Sequence, residues 1–568
     1  MEYHISFENP LTHYVNIRLV IKNIASETTD LHLPTWRPGR YEAANYARNI
    51  QQLKAVTPKG EKVPIKKVSS SKWQVKTKGL NTIEVHYNYY AGQLDAGSSW
   101  LDEDQLYLNF INCLIYIREH MSKPCQVKLR LPAQYQIACG LKSDRHLLQA
   151  KSYYQLVDSP MIASASMEHL TYVIENTTFH LWVMGENSLI WNSLIASFSA
   201  FSKTQAETMG GVPFDEYHFL YQITHDKKYH GVEHGRSTVI ALGPGQEMDS
   251  QKMRESLLGV SSHELFHAWN VIRIRPKELM PYDFNKEVFF PTGCVAEGVT
   301  TYYGDLFLAR SRVFDKQQYF KELNTLCDRH FENYGRFNHS LVQSSYDLWL
   351  DGYDKGIPNR KVSIYTKGAL AAFILDLHFR KLTDHQRSLD DLMRLLWEQY
   401  GQTGIGYTLE NYMENAELIA EQPMKNYFDQ CIFGTTPLEQ PFRELLPEIG
   451  CELAILPNED RYKGAFGFST AVKSGGVTVA AIAPGSPAES SLSLQDQIMS
   501  INGVQAEKDL NPLIGEANIQ IDLIRQGKKI TVTLTAEKNY FPQVRIKQNP
   551  EASEQQKTRF EKWLGCNW

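Results

Sequence analysis

The residues best equipped for chemistry are His263, Glu264 and His267, in the run Ser261-Ser262-His263-Glu264-Leu265-Phe266-His267-Ala268-Trp269-Asn270. On a helix, positions four apart share a face. Two imidazoles can therefore converge on one metal ion while the carboxylate between them stands by as a base. That is the equipment of metal-assisted hydrolysis. The pattern arises by chance in roughly a few per cent of chains of this composition, so its surroundings must carry the reading. A hydrolytic zinc takes three protein ligands and keeps one position open, which calls for a third ligand. Glu297, in Cys294-Val295-Ala296-Glu297-Gly298-Val299-Thr300-Thr301-Tyr302-Tyr303, starts a predicted helix after the irregular stretch 271–293 and can return antiparallel to the first. An acid there could equally serve the helix dipole in a first turn; the upstream histidine pair favours the ligand.

These residues need elements to bring them together. From the start to about residue 165 the pattern has period two: Val15, Ile17, Leu19 and Ile21 alternate with polar neighbours, as do Ile83, Val85, Tyr87 and Tyr89, and Val127, Leu129 and Leu131. Half-buried strands with turn clusters between them predict an all-β sandwich. Within it, Trp36-Arg37-Pro38-Gly39-Arg40-Tyr41 reads first as a surface turn, and otherwise as a loop facing a cleft. Further strands are predicted around Phe179–Val183, over Tyr217–Ile223 and over Ser237–Leu242, with His230-Gly231-Val232-Glu233-His234 an irregular segment between the last two. Asp249 or Ser250 can cap the helix that runs into His263 and His267. Helical patterns then cover 294–312, 316–335, 362–380 and 387–400.

A chain of 568 residues exceeds one core, and at about 150 residues per domain it holds roughly three or four units. A net charge of −5 without a long basic run gives no reason to expect nucleic acid. No stretch approaches the ~20 apolar residues of a membrane span, and the first residues carry neither a basic nor an apolar signal region. The eight cysteines are scattered without a CxxC pair, which argues against a disulfide scaffold or a cysteine-zinc site. The expectation is a cytoplasmic, reduced protein; the sequence leaves its oligomeric state open.

Past about residue 455 short strands return: Gly464-Ala465-Phe466-Gly467-Phe468, Val477-Thr478-Val479, Asp496-Gln497-Ile498-Met499-Ser500-Ile501-Asn502-Gly503 and Ile530-Thr531-Val532-Thr533-Leu534, with Ala483-Pro484-Gly485-Ser486-Pro487-Ala488 between. This region closely resembles a PDZ domain. The resemblance implies that a peptide C-terminus could add as a strand beside Phe466-Gly467-Phe468. Leu494-Gln495-Asp496-Gln497-Ile498 departs from the usual Leu-x-x-Gly-Asp, so an altered turn is expected there.

Taken in order, Pro38-Gly39-x-Tyr41 with Asn45-Tyr46-Ala47-Arg48, Gly231-x-Glu233-His234, His263-Glu264-x-x-His267-x-Trp269-Asn270, Glu297-Gly298-x-Thr300-x-Tyr302-Tyr303 and Tyr365-Thr366-Lys367-Gly368 resemble the glycyl aminopeptidase family of PDZ-containing zinc metallopeptidases over nearly the whole chain. The resemblance implies a multidomain α+β protein: an N-terminal all-β sandwich over 1–168, a mostly helical thermolysin-like catalytic domain with a small β-sheet over 169–453, a PDZ domain over 454–541 and a C-terminal tail over 542–568. It implies one zinc ion on His263, His267 and Glu297, Glu264 as base and Tyr365 as donor to the oxyanion. Glu233 would bind the free α-amine of a peptide, with Gly231, Val232 and His234 beside it in the substrate site. The implied reaction is removal of the N-terminal residue from peptides, favouring small residues such as Gly or Ala. Two positions depart from the family pattern, His230 for glycine and Arg40 for serine, and bear on specificity. Three alternatives stand beside these implications: Glu233 paired with Arg236, an endopeptidase that captures protein C-termini through the PDZ domain, and a peptide-binding scaffold without turnover.

Overall fold

The period-two rows form a layered β domain in the computed structural model, which describes residues 1–568 apart from 474–475, 515–516 and 538. Its largest sheet runs in the order Lys142–Asp144, Leu147–Ala150, Cys125–Arg130, Glu2–Ser6, Tyr14–Lys22, Thr82–Tyr90, Ile50–Val56, Lys62–Val63. Val15, Ile17, Leu19 and Ile21 lie opposite Tyr89, Tyr87, Val85 and Ile83, so two predicted rows turn to one face and fill one core. Four-stranded and three-stranded sheets complete the layer.

A five-stranded mixed sheet follows, in the order Glu168–Ile174, Thr177–Met184, Glu216–Ile223, Ser237–Gly243, Lys228–Glu233. The segment expected to be irregular is thus its edge strand, with Gly231 opposite Ile240 and Glu233 opposite Thr238. The apolar pattern failed there because an edge strand beside a cleft buries little: among Lys228–Glu233 only Val232 and Glu233 are fully buried. The inner strands bury apolar residues on both faces because both are covered, with His180, His218 and Gln222 interrupting one of them. Phe179, Leu181, Phe219, Tyr221 and Ile240 join the helical core, while Trp182, Leu220, Val232 and Val239 meet Ala96, Tyr107, Ala138 and Ile162 of the β domain.

The helical patterns become Thr300–Arg310, Lys316–Phe331, Thr366–Leu382 and Leu389–Leu396, with π-helical turns at Cys294–Val299 and Trp397–Gly401. Residues 542–568, set apart in the sequence as a tail, are built into this body. Gln543–Gln548 pairs antiparallel with Cys451–Leu456, and the helix Glu554–Leu564 buries Phe560, Trp563 and Leu564 in the helical core. The indole of Trp563 donates to the Tyr302 hydroxyl at 2.9 Å. The PDZ region therefore hangs from a two-stranded ribbon that belongs to the helical body. Its sheet has Phe468–Lys473 at the edge and a core of its own. Gln495 takes the altered turn with φ +69°, a left-handed conformation in a non-glycine residue, and the buried Asp496 is clasped by Arg525 at 2.6 and 2.8 Å. Among the described residues no helix is long and apolar enough to cross a membrane.

Candidate active site

Ser250 caps the helix Gln251–Phe266, its hydroxyl accepting from the Met253 amide at 3.3 Å, while Asp249, the other candidate, pairs with Arg254. Leu257, Leu258, Leu265 and Phe266 anchor this helix in the core and turn His263, Glu264 and His267 to the cleft. Nε2 of His263 lies 3.0 Å from Nε2 of His267, and a Glu297 oxygen lies 3.8 and 3.4 Å from the two. A tetrahedral zinc with bonds of about 2.0–2.1 Å spaces its ligands about 3.3 Å apart, so the three atoms fit one ion. The ring of His267 is oriented by its other nitrogen, which donates to the Asn270 carbonyl at 3.0 Å and leaves Nε2 as a lone pair facing the trio. Asn270 also ties down the third member. Its amide donates to the carbonyls of Val295 and Ala296 at 2.9 and 3.2 Å and to Thr300 Oγ1 at 3.0 Å.

Glu297 sits inside the π-helical turn Cys294–Val299, a local widening often found where a helix presents a functional side chain. That turn lies directly on the helix Thr366–Leu382: a Cβ on Gly298 would stand 2.5 Å from the Gly368 Cα, and one on Gly368 would stand 2.8 Å from the Gly298 Cα. The two glycines let the element carrying Glu297 touch the element that begins at Tyr365. Tyr365 is half-buried against the aromatic cluster of Trp36, Tyr41 and Phe290. Burial, reinforced by Glu297, holds its phenol well above the ordinary range, so it stays a proton donor.

Glu264 is buried, and its Oε2 has no hydrogen-bond partner among the described residues. Burial, opposed by His267 and reinforced by Glu233 and Glu297, pushes its carboxyl up to about 8; a cation at the trio acts in the opposite sense. The edge strand passes so close that a Cβ on Gly231 would lie 2.1 Å from Glu264 Oε1. Glu233, at the end of that strand, is also buried, which raises its pKa, with His267 opposing. Ligand atoms of Glu233, Glu264 and His267 lie within 4.8 Å of one another. Arg236, the alternative partner for Glu233, turns instead to Asp215 at 3.5 Å.

The turn 36–41 is not on the open surface. Trp36 and Arg37 are buried, and a Cβ on Gly39, whose φ is +77°, would stand 2.6 and 2.8 Å from the Glu233 carboxylate oxygens. The Tyr41 amide donates to the Tyr353 hydroxyl at 3.0 Å, and the Arg40 guanidinium lies 5.1 Å over the Tyr353 ring. His230 meets Arg37 at 3.4 Å, and its other nitrogen lies 3.8 Å from Asp95. Val232 and His234, grouped by sequence with the substrate site, direct their side chains elsewhere. Val232 is in the seam between sheet and β domain, and His234 is clasped by Asp158 at 3.1 Å.

Family models match three stretches of the chain: the Peptidase M61 N-terminal domain over residues 2–165, the M61 glycyl aminopeptidase over 256–371 and the PDZ domain over 457–537. The chain matches the M61 glycyl aminopeptidase family in its β domain and across the stretch that carries the metal trio and Tyr365. Its class is metallo-aminopeptidase. The fold is similar to that of an aminopeptidase N family protein from Idiomarina loihiensis, at 24% identity and a TM-score of 0.90, with 99% of each chain covered. An M1 zinc metallopeptidase from Deinococcus radiodurans aligns at 13% identity and a TM-score of 0.47, covering 77% of this chain and 94% of that one. No curated protein matches.

Asn270, Gly298, Gly368 and Gly39 have roles in the site that their residue types do not announce in the sequence. Their work is close approach and orientation, which leaves no chemical signature in the sequence. The only available signal was a glycine where a helix would favour alanine, next to a residue that does chemistry.

Proposed function

We propose that this metallo-aminopeptidase uses one zinc ion, held by His263, His267 and Glu297, to remove the N-terminal residue from peptides, and that it favours small residues such as Gly and Ala. The observation that carries the proposal is the position of Glu233: a buried carboxylate without a cationic partner within 4.0 Å among the described residues, beside the trio and the base. A substrate ammonium would neutralise it, which holds the first peptide carbonyl next to the trio and excludes longer chains on the amine side.

When bound, zinc supplies a water acidified to a pKa of about 7 and polarisation of the scissile carbonyl. Glu264, raised by burial, takes the proton of the attacking water and returns it to the leaving amine. The phenol of Tyr365 donates to the oxyanion that forms at the carbonyl. The free side of the edge strand Lys228–Glu233 offers its backbone to an extended peptide. The turn that carries Gly39 abuts the Glu233 carboxylate, and its next residues, Arg40 and Tyr41, contact Tyr353, which supports a short first side chain. In the PDZ domain, the edge strand Phe468–Lys473 is the place for a peptide C-terminus.

The test is Glu233→Gln, assayed on free and N-acetylated peptides with metal content measured alongside. The expected result is full zinc loading with kcat/KM for the free peptide reduced to the level of the acetylated one. Unchanged discrimination between the two substrates in Glu233→Gln would refute the assignment.

A further inference from the structure

A second group of metal-capable side chains lies on the five-stranded sheet, on strands that supply none of the catalytic set. His169, His180 and His218 stand on three successive strands, with His180 opposite His218 and His169 opposite Trp182. Residues two apart share a face of a strand, so these side chains and Glu216 project to the same side. The rings of His180 and His218 stack at 4.6 Å and 8°, and His169 stacks on Trp182 at 3.6 Å and 3°.

The ring contacts admit a tautomer that frees one nitrogen of His180 for a metal. Nδ1 of His180 lies 3.0 Å from Nε2 of His169; in the tautomer in which His180 is the donor of this pair, its lone pair falls on Nε2. That atom is buried and has no partner among the described residues. Ligand atoms of His180, His218 and Glu216 lie within 4.8 Å of one another, and a Glu216 oxygen is 3.9 Å from His218 Nε2. The Glu216 side chain is 60% exposed and free to swing in.

We propose that His180, His218 and Glu216 bind a second divalent transition-metal ion of the zinc class, with His169 orienting His180. Two imidazoles and one carboxylate suit such an ion better than calcium or magnesium, which prefer oxygen throughout. The bound ion would tie the strands Thr177–Met184 and Glu216–Ile223 together. Two features set its strength. The ligand atoms must close from their present spacing to about 3.3 Å. In addition, Nδ1 of His218 accepts the Trp182 indole N–H at 3.2 Å. Coordination through Nε2 shifts the ring proton to Nδ1 and breaks that bond, so this ion binds more weakly than the catalytic one and its arrival perturbs Trp182.

The experiment is titration of the chelator-stripped full-length protein with Zn²⁺ alone, followed by calorimetry and tryptophan fluorescence. The wild type is expected to take up two equivalents. His180→Gln should lose the weaker one while keeping the tighter equivalent and aminopeptidase activity. Glu216→Gln, at an exposed position that does not test folding, should weaken it at least tenfold, and His263→Gln/His267→Gln should retain it. Uptake of a single equivalent by the wild type, or two equivalents surviving in His180→Gln or binding with unchanged affinity in Glu216→Gln, would overturn the proposal.

Discussion

Replacing Gly298 by alanine sets two well-understood effects against each other. A glycine within a helical turn is worth about 1 kcal/mol less than alanine, so propensity alone predicts that Gly298→Ala stabilises the protein. The new methyl, however, would stand 2.5 Å from the Gly368 Cα, 2.6 Å from its carbonyl carbon and 2.9 Å from the Ile364 carbonyl oxygen. All three are backbone atoms that cannot swing aside. Ordinary carbon contacts are about 3.5–4.0 Å, so the turn Cys294–Val299 and the helix Thr366–Leu382 must part by about 1 Å or more. Such overpacking costs about 1–3 kcal/mol and leaves a net destabilisation of about 0–2 kcal/mol. Function suffers more than stability, because the parting moves Glu297 relative to His263 and His267 and also moves Tyr365. A displacement of about 1 Å costs on the order of 10²-fold in rate. The assay is kcat/KM on an aminoacyl chromogenic substrate, with zinc affinity from chelator competition. Gly259→Ala is the control: it lies on the same helix as His263, and its nearest neighbour would be Asp305 Oδ1 at 3.6 Å, so propensity should prevail and activity remain. A Gly298→Ala enzyme with wild-type kcat/KM and raised thermal stability would refute the close-approach argument.

Three further substitutions separate the roles at the site. Glu264→Gln should retain zinc and lose about 10²–10⁴-fold in kcat, read by steady-state kinetics beside metal analysis. Tyr365→Phe should lower kcat about 10²–10³-fold with little change in KM, since its hydroxyl acts on charge present only in the transition state. Asn270→Ala removes three amide contacts to the element carrying Glu297 and leaves Val295, Ala296 and Thr300 without that partner, so zinc affinity should fall about 10–100-fold in a chelator competition.

Elements whose residues repeat with the period of a buried face were legible in the sequence. The rows of Tyr14–Lys22 and Thr82–Tyr90 are of this kind; the helix Gln251–Phe266 was legible instead from its cap and the histidine spacing, and Thr366–Leu382 from a nearly unbroken apolar run that is buried all round. The strand Lys228–Glu233 was not, because an edge strand that lines a cleft buries few residues and carries a glycine where a methyl would strike Glu264. The turn 36–41 was misplaced for a related reason. Its arginines, proline and glycine are those of a surface turn, yet Trp36 donates to the Asp283 carbonyl at 2.9 Å and the turn is folded under the loop that carries Tyr353. At the site, the chemical groups themselves were readable from spacing and family pattern. What orients them was not: the Asn270 clasp, the Gly298–Gly368 contact and the Asp158 clasp on His234 depend on partners 25 or more residues away in the chain.

Exopeptidase action in this protein depends on Glu233 fixing a free amine beside the metal trio. The most direct measurement is a mass-spectrometric time course of one unstructured peptide, presented with a free and with an acetylated N-terminus. The expected result is stepwise loss of single N-terminal residues from the free peptide and no products from the acetylated one. Internal fragments, or equal cleavage of both forms, would contradict it.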